Sequence, residues 1–344
     1  MTTRLLPPFL IAAGVVLMLA TLMLPGQARW VHDDPARYKH VTTLVATGDD
    51  VLLAGTQSGR LWRWDPDGQW RDMGGTPGEL PITMLGHDTD ILIGTPDGLY
   101  RPDGESILPT GRISHLHQHD AVLAIATGSS VVLRVDDTQR DWELAGPLDG
   151  APVYRVQVQV LDEGVAWHAG TIGQGVWTLE PGEDSWQPNS DGLPDPVNIL
   201  SMRAAGNNTL LAGTDQGLFW QAIPGQRWQR IDDGLGERRV LDLHREERDG
   251  RLDLFAASDD GLYNITLVER ERSVETQGRW SAVAPRSAEL DRSVGFVVSA
   301  DDTLWISAGS VYRLARERGA LWFVGLAVGL LLTLLGFRLM LTAR

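Results

Sequence analysis

The segment Leu-Leu-Ala-Gly-Thr-Asp-Gln-Gly-Leu-Phe at positions 210–219 decides the fold of this chain, because the chain repeats it. Positions 52–59 read Leu-Leu-Ala-Gly-Thr-Gln-Ser-Gly, and positions 91–100 read Ile-Leu-Ile-Gly-Thr-Pro-Asp-Gly-Leu-Tyr. Each copy has an apolar segment, small residues, a short turn closed by glycine and a second apolar segment, which is the pattern of a β-hairpin. The same hairpin is therefore encoded at least three times.

Four weaker copies of this hairpin lie at positions 123–127, 167–171, 254–263 and 304–308. In the first six copies the Thr or Ser falls at positions 56, 95, 127, 171, 214 and 258, so the steps are 39, 32, 44, 43 and 44 residues. A period near 40–45 residues with four short strands per unit is typical of β-propellers. The sequence predicts an all-β fold, a propeller with seven blades of four antiparallel strands.

Apolar pairs upstream of the hairpins predict the innermost strand of each blade. These pairs are Val41 and Leu44, Ile82 and Leu85, Ile113 and Leu116, Val197 and Leu200, and Val240 and Leu243. Downstream of the hairpins a tryptophan recurs at positions 70, 142, 186, 228 and 280, where we expect packing between blades. Trp62, Trp64 and Trp220 are either exposed aromatic residues of a binding face or further blade packing.

Two apolar segments flank the repeats. No charged residue occurs from Leu5 to Leu24 or from Gly319 to Phe337, and about 20 apolar residues suffice to span a bilayer. We predict transmembrane helices at both ends. The first segment also has the anatomy of a signal peptide, with Arg4 before it and a small-residue cleavage pattern around Gln27. The membrane is thus a predicted partner, through two spans or through one if the first is cleaved.

The predicted organisation has three parts: residues 1–28 as a transmembrane segment or signal peptide, 29–318 as the propeller and 319–344 as a C-terminal transmembrane helix. The approximate blades are 42–81, 82–112, 113–152, 153–196, 197–238, 239–286 and 287–318. Basic residues near the spans favour a cytoplasmic propeller if they are simply counted, but a signal-like segment normally exports the domain that comes after it. We expect the inner membrane of a bacterium, with the propeller on the periplasmic side.

Composition excludes several classes of function. The net charge of −15 argues against nucleic acid as a partner, because phosphate binding requires a basic surface. The chain contains no cysteine, so disulfides, thiolate metal sites and a cysteine nucleophile are excluded. We expect no cofactor.

One histidine cluster stands out, at His115, His117 and His119. Alternate residues of a strand share a face, so these three side chains are a candidate metal site. The alternative is a strand that lines the solvated central channel, where histidine is tolerated without a metal.

A polar ring at the propeller axis is the candidate ligand site. If the repeat register holds, His115, Arg155 and Asp242 occupy matching positions on different blades, and His117 and His244 lie two residues further on. The alternative is a solvated channel with polar walls and no ligand. An exo-sialidase would use an arginine cluster and a tyrosine nucleophile, for which Arg155, Arg203, Arg239 and Tyr154 are present.

The region 167–235 resembles bacterial propeller repeats of the BNR or Asp-box type, as in sortilin-like and photosystem-II-assembly-factor-like proteins. The resemblance rests on Asp-Gly-Leu-Pro at 191–194, the hairpin at 210–214 and Gly-Gln-Arg-Trp at 225–228. The box is degenerate, because its spacing is shifted at 65–70 and its Asp is missing at 225–228. The resemblance implies a binding or assembly role.

Two classes of function remain open. The first is a non-catalytic module for protein interaction or complex assembly, whose partner is another envelope or membrane protein. The second is a glycan or small-ligand site at the axis, either sensory or sialidase-like. An exposed apolar patch would favour the first, and a deep axial pocket with clustered Arg, His and carboxylates would favour the second. We expect the protein not to be an enzyme.

Overall fold

The structure is a computed structural model of the chain. It describes residues 6–22, 27–33, 40–47, 51–65, 67–75, 80–87, 90–109, 111–119, 122–134, 143–145, 148, 150–161, 163–205, 209–222, 226–248, 251–270, 273–283, 293–317 and 320–342. The chain divides into two compact units, one of residues 1–31 and 314–344 and the other of residues 32–313.

The described residues form two helices and 28 strands. The helices are α1 Leu6–Leu22 and α2 Ala320–Thr342. The strands are β1 Gln27–His32, β2 Val41–Ala46, β3 Leu52–Thr56, β4 Arg60–Asp65, β5 Gln69–Gly75, β6 Thr83–His87, β7 Asp90–Gly94, β8 Leu99–Tyr100, β9 Ser106–Leu108, β10 Ile113–His119, β11 Val122–Thr127, β12 Val131–Arg134, β13 Glu143–Leu144, β14 Val153–Leu161, β15 Gly164–Thr171, β16 Val176–Leu179, β17 Gln187–Pro188, β18 Ile199–Ala205, β19 Thr209–Thr214, β20 Gly217–Gln221, β21 Gln229–Arg230, β22 Val240–Arg248, β23 Arg251–Ser258, β24 Gly261–Arg270, β25 Ser273–Ala282, β26 Phe296–Ala300, β27 Thr303–Ser307 and β28 Val311–Glu317.

These strands form seven four-stranded sheets. Six sheets are consecutive in the chain, β2 to β5, β6 to β9, β10 to β13, β14 to β17, β18 to β21 and β22 to β25, and the seventh has the order β1-β28-β27-β26. The strands β2, β6, β10, β14, β18, β22 and β26, which we call the inner strands, each contact the inner strand of the next sheet, and β26 contacts β2. The all-β propeller predicted from the repeats is confirmed.

The repeated hairpin holds its turn through its threonine. Thr95 Oγ1 donates to the carbonyl of Gly98 at 3.0 Å, and Thr214 Oγ1 donates to that of Gly217 at 2.9 Å. The small residue before the threonine permits close contact with the next sheet. A Cβ on Gly94 would lie 2.6 Å from Cγ2 of Ile113, the first residue of the next inner strand. The Gly-Thr pair therefore serves both the turn and the packing between blades.

The inner strands are where the sequence predicts them, but two of the apolar pairs are out of register. Val41 pairs with Thr56 and Ile199 with Thr214, so the counterparts of Val41 and Leu44 in β18 are Ile199 and Met202, not Val197 and Leu200. In β6 the buried counterpart of Leu44 is Met84, and the predicted Leu85 faces the ring interior. Apolar residues lie on both faces of these strands, so hydropathy alone does not fix their register.

The recurring tryptophans link adjacent blades. The indole Nε1 of Trp228 donates to the carbonyl of Asn189 at 2.8 Å, that of Trp70 donates to Asp33 at 3.0 Å, and that of Trp186 donates to Ala145. Each acceptor lies in the preceding blade, which is the predicted role. Trp142 lies outside the described residues. The interpretation of Trp62, Trp64 and Trp220 as a binding face is not supported, because Trp220 is buried and Trp62 and Trp64 pack in the core next to Trp305.

The two helices pack against each other as an antiparallel pair. Their contact is built from small residues: a Cβ on Gly329 would lie 2.6 Å from Cγ of Met18 and 2.8 Å from the carbonyl of Gly14. Pro7, Gly14 and Thr21 are the buried residues of α1, at a seven-residue spacing typical of a coiled-coil seam.

The structure corrects the predicted spans. Only one of the described helices is long and apolar enough to cross a membrane, the segment Phe323–Thr342, which lies within the predicted C-terminal span 319–344. In the first predicted span, Leu5 to Leu24, the described residues 6–22 form the apolar helix α1. Two transmembrane helices are therefore not matched among the described residues.

Candidate functional site

A cavity of about 410 Å³ lies where the seven inner strands meet. Every inner strand contributes to its lining, including Thr43 of β2, Thr83 of β6, Arg155 of β14 and Phe296 of β26. Because the inner strands form a closed ring, this cavity is the axial channel of the propeller. The lining includes His115, His117, Arg155, Asp242 and His244, all five predicted ligand-site residues.

Strand register shows how these side chains come together. A β-bulge follows the first residue of β10, β14 and β22 and is also present in β2 and β18. The residue paired directly after it is His115, Arg155 or Asp242 in the first three strands, so these residues do occupy equivalent positions. The first ring of equivalent residues is Thr43, Thr83, His115, Arg155, Ser201, Asp242 and Phe296.

The second ring lies two residues further along each inner strand. Its members are Val45, Leu85, His117, Gln157, Arg203, His244 and Val298. In both rings the residues of β10, β14, β18 and β22 are polar. The second-ring residues of β26, β2 and β6, together with Phe296, are apolar. The four polar strands are contiguous around the ring, and so are the other three, whose ring residues are apolar apart from Thr43 and Thr83, so the cavity has a polar half and a mainly apolar half that we call the apolar half.

Two arginines of the polar half are anchored by their Nε atoms. Arg155 Nε donates to the carbonyl of Leu200 at 2.7 Å, and Arg203 Nε donates to that of Leu243 at 2.9 Å. Each bond reaches the inner strand of the next blade. Arg155 Nη1 also makes a long contact of 3.4 Å with the carbonyl of Ser114. These backbone contacts fix both guanidinium groups in the cavity wall.

His115 is held uncharged in the same wall. The backbone N–H of Val156 donates to His115 Nδ1 at 3.4 Å, so the neutral ring carries its proton on Nε2. Burial, and after it the positive charges of Arg155, His117 and Arg203, hold the pKa of His115 well below its usual value. The neutral ring therefore offers an N–H donor rather than a positive charge to the cavity.

Asp242, His244 and Arg245, which also line the cavity, each lie close to another protein group. Asp242 Oδ2 accepts a hydrogen bond of 3.1 Å from the N–H of Val297 in the next blade. His244 Nε2 lies 3.7 Å from Glu246 Oε1, and Arg245 Nη2 lies 3.8 Å from Glu247 Oε2. Asp242 is the single carboxylate among the described residues that line the cavity, against three arginines.

The metal-site prediction is not tested as a whole. His115 and His117 face the cavity from β10, but the side chain of His119 lies outside the described residues. Among the side chains that are described, no group of three His, Asp or Glu residues is placed to hold a metal ion.

From the sequence, Arg203 was named only among the residues of the sialidase alternative, and Arg245 was not named. Both belong to the cavity, while Arg239, the third arginine of the sialidase alternative, does not line it. The signal for Arg203 was present, because it lies ten residues before the hairpin glycine Gly213, as Val45 lies ten before Gly55. The misplaced register of β18 concealed it.

No protein-family model and no curated protein sequence matches this chain. Solved structures do match its fold. Two structures of the extracellular domain of BT4673 from B. thetaiotaomicron match with TM-scores of 0.64 and 0.65 at 14% and 13% identity, over 83% and 84% of this chain and 39% and 40% of theirs. This chain therefore spans well under half the length of those chains.

Two further structures are similar. A structure of an ancestral GH74 enzyme matches with a TM-score of 0.66 at 14% identity, over 83% of this chain and 46% of its own. A chain of the mitotic checkpoint complex matches with a TM-score of 0.61 at 14% identity, over 84% of this chain and 93% of its own. At these identities the likeness shows the fold alone: this chain is a β-propeller similar to extracellular propeller domains.

Proposed function

We propose that this chain is a membrane-anchored, extracytoplasmic β-propeller that binds a small ligand in its axial cavity without catalysing a reaction. The observation that carries the proposal is the convergence of anchored Arg, His and Asp side chains on one cavity of about 410 Å³. Ligand pockets are typically about 300–1,000 Å³ and combine apolar walls with a few placed polar groups. An interaction surface requires none of these features.

A role in protein interaction or complex assembly remains the second candidate. It requires an exposed apolar patch of several hundred Å². On the described part of the propeller, the large apolar side chains that are exposed are Val160 and Ile172, too few to form such a patch. The similarity to extracellular propeller domains supports either role, whereas the cavity favours the ligand.

A glycosidase-like activity has less support. Glycoside hydrolysis commonly uses two carboxyl groups, about 5–9.5 Å apart, on either side of the bond that is cleaved. Among the described lining residues only Asp242 carries a carboxylate, and its Oδ2 is bound to the backbone of the next blade. GH74 chemistry belongs to the similar enzyme, and we propose binding alone for this chain.

The proposed membrane anchor is the helix α2. Its segment Phe323–Thr342 has a mean hydropathy of 2.2, and large side chains such as Leu331 and Leu341 are exposed. Such a helix, apolar on its exposed faces, fits a lipid environment. We propose the bacterial inner membrane, with the Asp-box-type propeller on the periplasmic side.

The side of the membrane is testable because the chain has no cysteine. In a Ser185→Cys variant, the introduced thiol is the single labelling site of the protein, at an exposed position of the propeller. We expect a membrane-impermeant maleimide to label it in intact spheroplasts as fully as in lysed ones. Labelling that requires lysis would place the propeller in the cytoplasm and contradict the proposal.

The ligand site is testable by filling it. A Val45→Trp variant places an indole in the second ring, where Val45 lines the cavity. We expect a screen of small metabolites by ligand-observed NMR to give binders of the full-length protein in lipid nanodiscs, and we expect this variant to lose them. A Val160→Trp variant, exposed outside the cavity, is the control. Binders that survive Val45→Trp would show that the axis is not the site.

A further inference from the structure

The guanidinium groups of Arg155 and Arg203 retain binding capacity beyond their structural contacts. Each arginine binds the next blade mainly through Nε. Within the described residues, neither Nη of Arg203 has a hydrogen bond, neither does Nη2 of Arg155, and neither arginine has a carboxylate partner within 4 Å. An arginine whose Nε is fixed to the backbone presents its Nη donors in a set direction, which suits bidentate binding of an oxyanion.

Arg155 and Arg203 have no carboxylate partner among the described residues, and the guanidinium group of Arg155 stacks on the Tyr154 ring at 4.4 Å. The whole chain carries a net charge of −15, so carboxylates are plentiful, and an exposed arginine such as Arg238 does pair with one, Asp260 at 2.8 Å. Two half-buried cations that line one cavity without a carboxylate partner attract an anion to it. His115 adds a neutral N–H donor to the same wall, because its pKa is lowered.

The opposite wall of the cavity sets a second requirement for the ligand. The apolar half of the cavity, on the three contiguous strands β26, β2 and β6, is lined by Val45, Leu85, Phe296 and Val298 together with Thr43 and Thr83. A fully polar ligand such as an inorganic anion would leave this wall in contact with water. A ligand with an apolar part removes that surface from water, at a gain of about 25 cal/mol per Å².

We propose, resting on the proposed function, that the ligand is a small amphipathic organic anion. Its carboxylate or phosphate group binds Arg155 and Arg203, and its apolar part lies against the apolar half of the cavity. Both oxyanions present paired acceptors to a guanidinium group. The geometry therefore assigns an anionic ligand, and the experiment distinguishes a carboxylate from a phosphate.

The test measures binding to the full-length protein in lipid nanodiscs by titration calorimetry and ligand-observed NMR. Phenylacetate and phenyl phosphate are the two anionic probes, phenylacetamide is the uncharged match of the first, acetate is its head group alone, and glucose stands for neutral glycans. We expect an aromatic anion to bind, with phenylacetamide and acetate each at least about tenfold weaker. The preferred anion identifies a carboxylate or a phosphate site.

Arginine variants test which residues bind the anionic group of the probe. Arg203→Gln and Arg155→Gln each remove one positive charge, and we expect each to weaken the anionic probe about tenfold. Arg251→Gln removes the same charge from an exposed position outside the cavity and should bind as the wild type does. Retained thermal stability shows that the variants fold, and a variant that does not fold is replaced by Arg→Lys, which keeps the charge and loses the fork geometry.

Two results would overturn the inference, and they differ in whether the proposed function survives. If phenylacetamide or glucose binds at least as well as the anions and Val45→Trp abolishes that binding, the axial site stands and its anionic character is wrong. If none of the probes and no member of the metabolite screen binds up to about 10 mM, the proposed function fails together with the inference.

Discussion

Replacing Gly213 by alanine is expected to lower the free energy of unfolding by about 2–3 kcal/mol, because the added methyl has no space between two blades. A Cβ on Gly213 would lie 2.7 Å from Cγ1 of Val240 and 2.9 Å from the Val240 carbonyl, and it would also meet Ser201 Oγ. Val240 begins the next inner strand, so relief of the clash requires a shift of that strand. Alanine is otherwise favoured over glycine in a strand, so a loss of stability reports the packing.

The measurement is the thermal or urea denaturation of the full chain in detergent, monitored by tryptophan fluorescence. Gly128→Ala is the matched control, since a Cβ there meets nothing within 4 Å; we expect its stability to lie within about 0.5 kcal/mol of wild type. If Gly213→Ala is as stable as Gly128→Ala, the close contact between the fifth and sixth sheets is not real.

The stability of the propeller is expected to fall as the pH falls from 6.5 towards 3, and His168 is a main cause. His168 is fully buried in β15, where Nδ1 lies 2.8 Å from Thr178 Oγ1 and Nε2 lies 3.1 Å from Gln159 Oε1. Burial lowers the pKa of this ring to about 3. The folded state therefore keeps it neutral, whereas the unfolded chain takes up a proton near pH 6.5.

Proton linkage gives the sign and the size of this effect. Between the two pKa values the unfolded state binds more protons, so its free energy falls relative to the folded state as the pH decreases. The contribution of His168 is complete above pH 6.5, and about 2 kcal/mol of it is lost at pH 5. His115, whose pKa is also lowered, acts in the same direction.

Variants isolate the part that belongs to His168. His168→Gln keeps side-chain hydrogen bonding without titrating in this range, so we expect a flatter dependence of denaturation midpoint on pH between 8 and 5. His40→Gln removes an exposed histidine and should leave the profile of the wild type unchanged. A His168→Gln profile as steep as that of the wild type would show that the buried ring is not the group that titrates.

The repeat was readable from the sequence because one physical requirement recurs in every blade. The Gly-Thr of 94–95 and 213–214 must close a turn and also meet the next inner strand, and few residue types satisfy both. The axial placement of His115, Arg155 and Asp242 was inferred from that repeat. The strand register confirms that the three positions match.

What the sequence did not reveal depends on register and on length. Residues on both faces of β18 are apolar, so Val197 and Leu200 were taken for Ile199 and Met202 and Arg203 lost its place in the second ring. The division of the cavity into a polar and an apolar half is visible only after all seven inner strands are aligned. At the first apolar segment, composition indicated a transmembrane span, whereas the described residues form a helix of 17 residues that does not count as a second span.

Asp33 and Arg313 form an ion pair of 2.7 Å although 280 positions separate them, and the N–H of Asp33 also donates to the carbonyl of Val311 at 2.9 Å. During synthesis the first of these residues leaves the ribosome long before the other two. The ring is thus completed only when translation has passed residue 313. Because Phe296 and Val298 supply one wall of the cavity, a nascent chain has no complete axial cavity until its last blade is made.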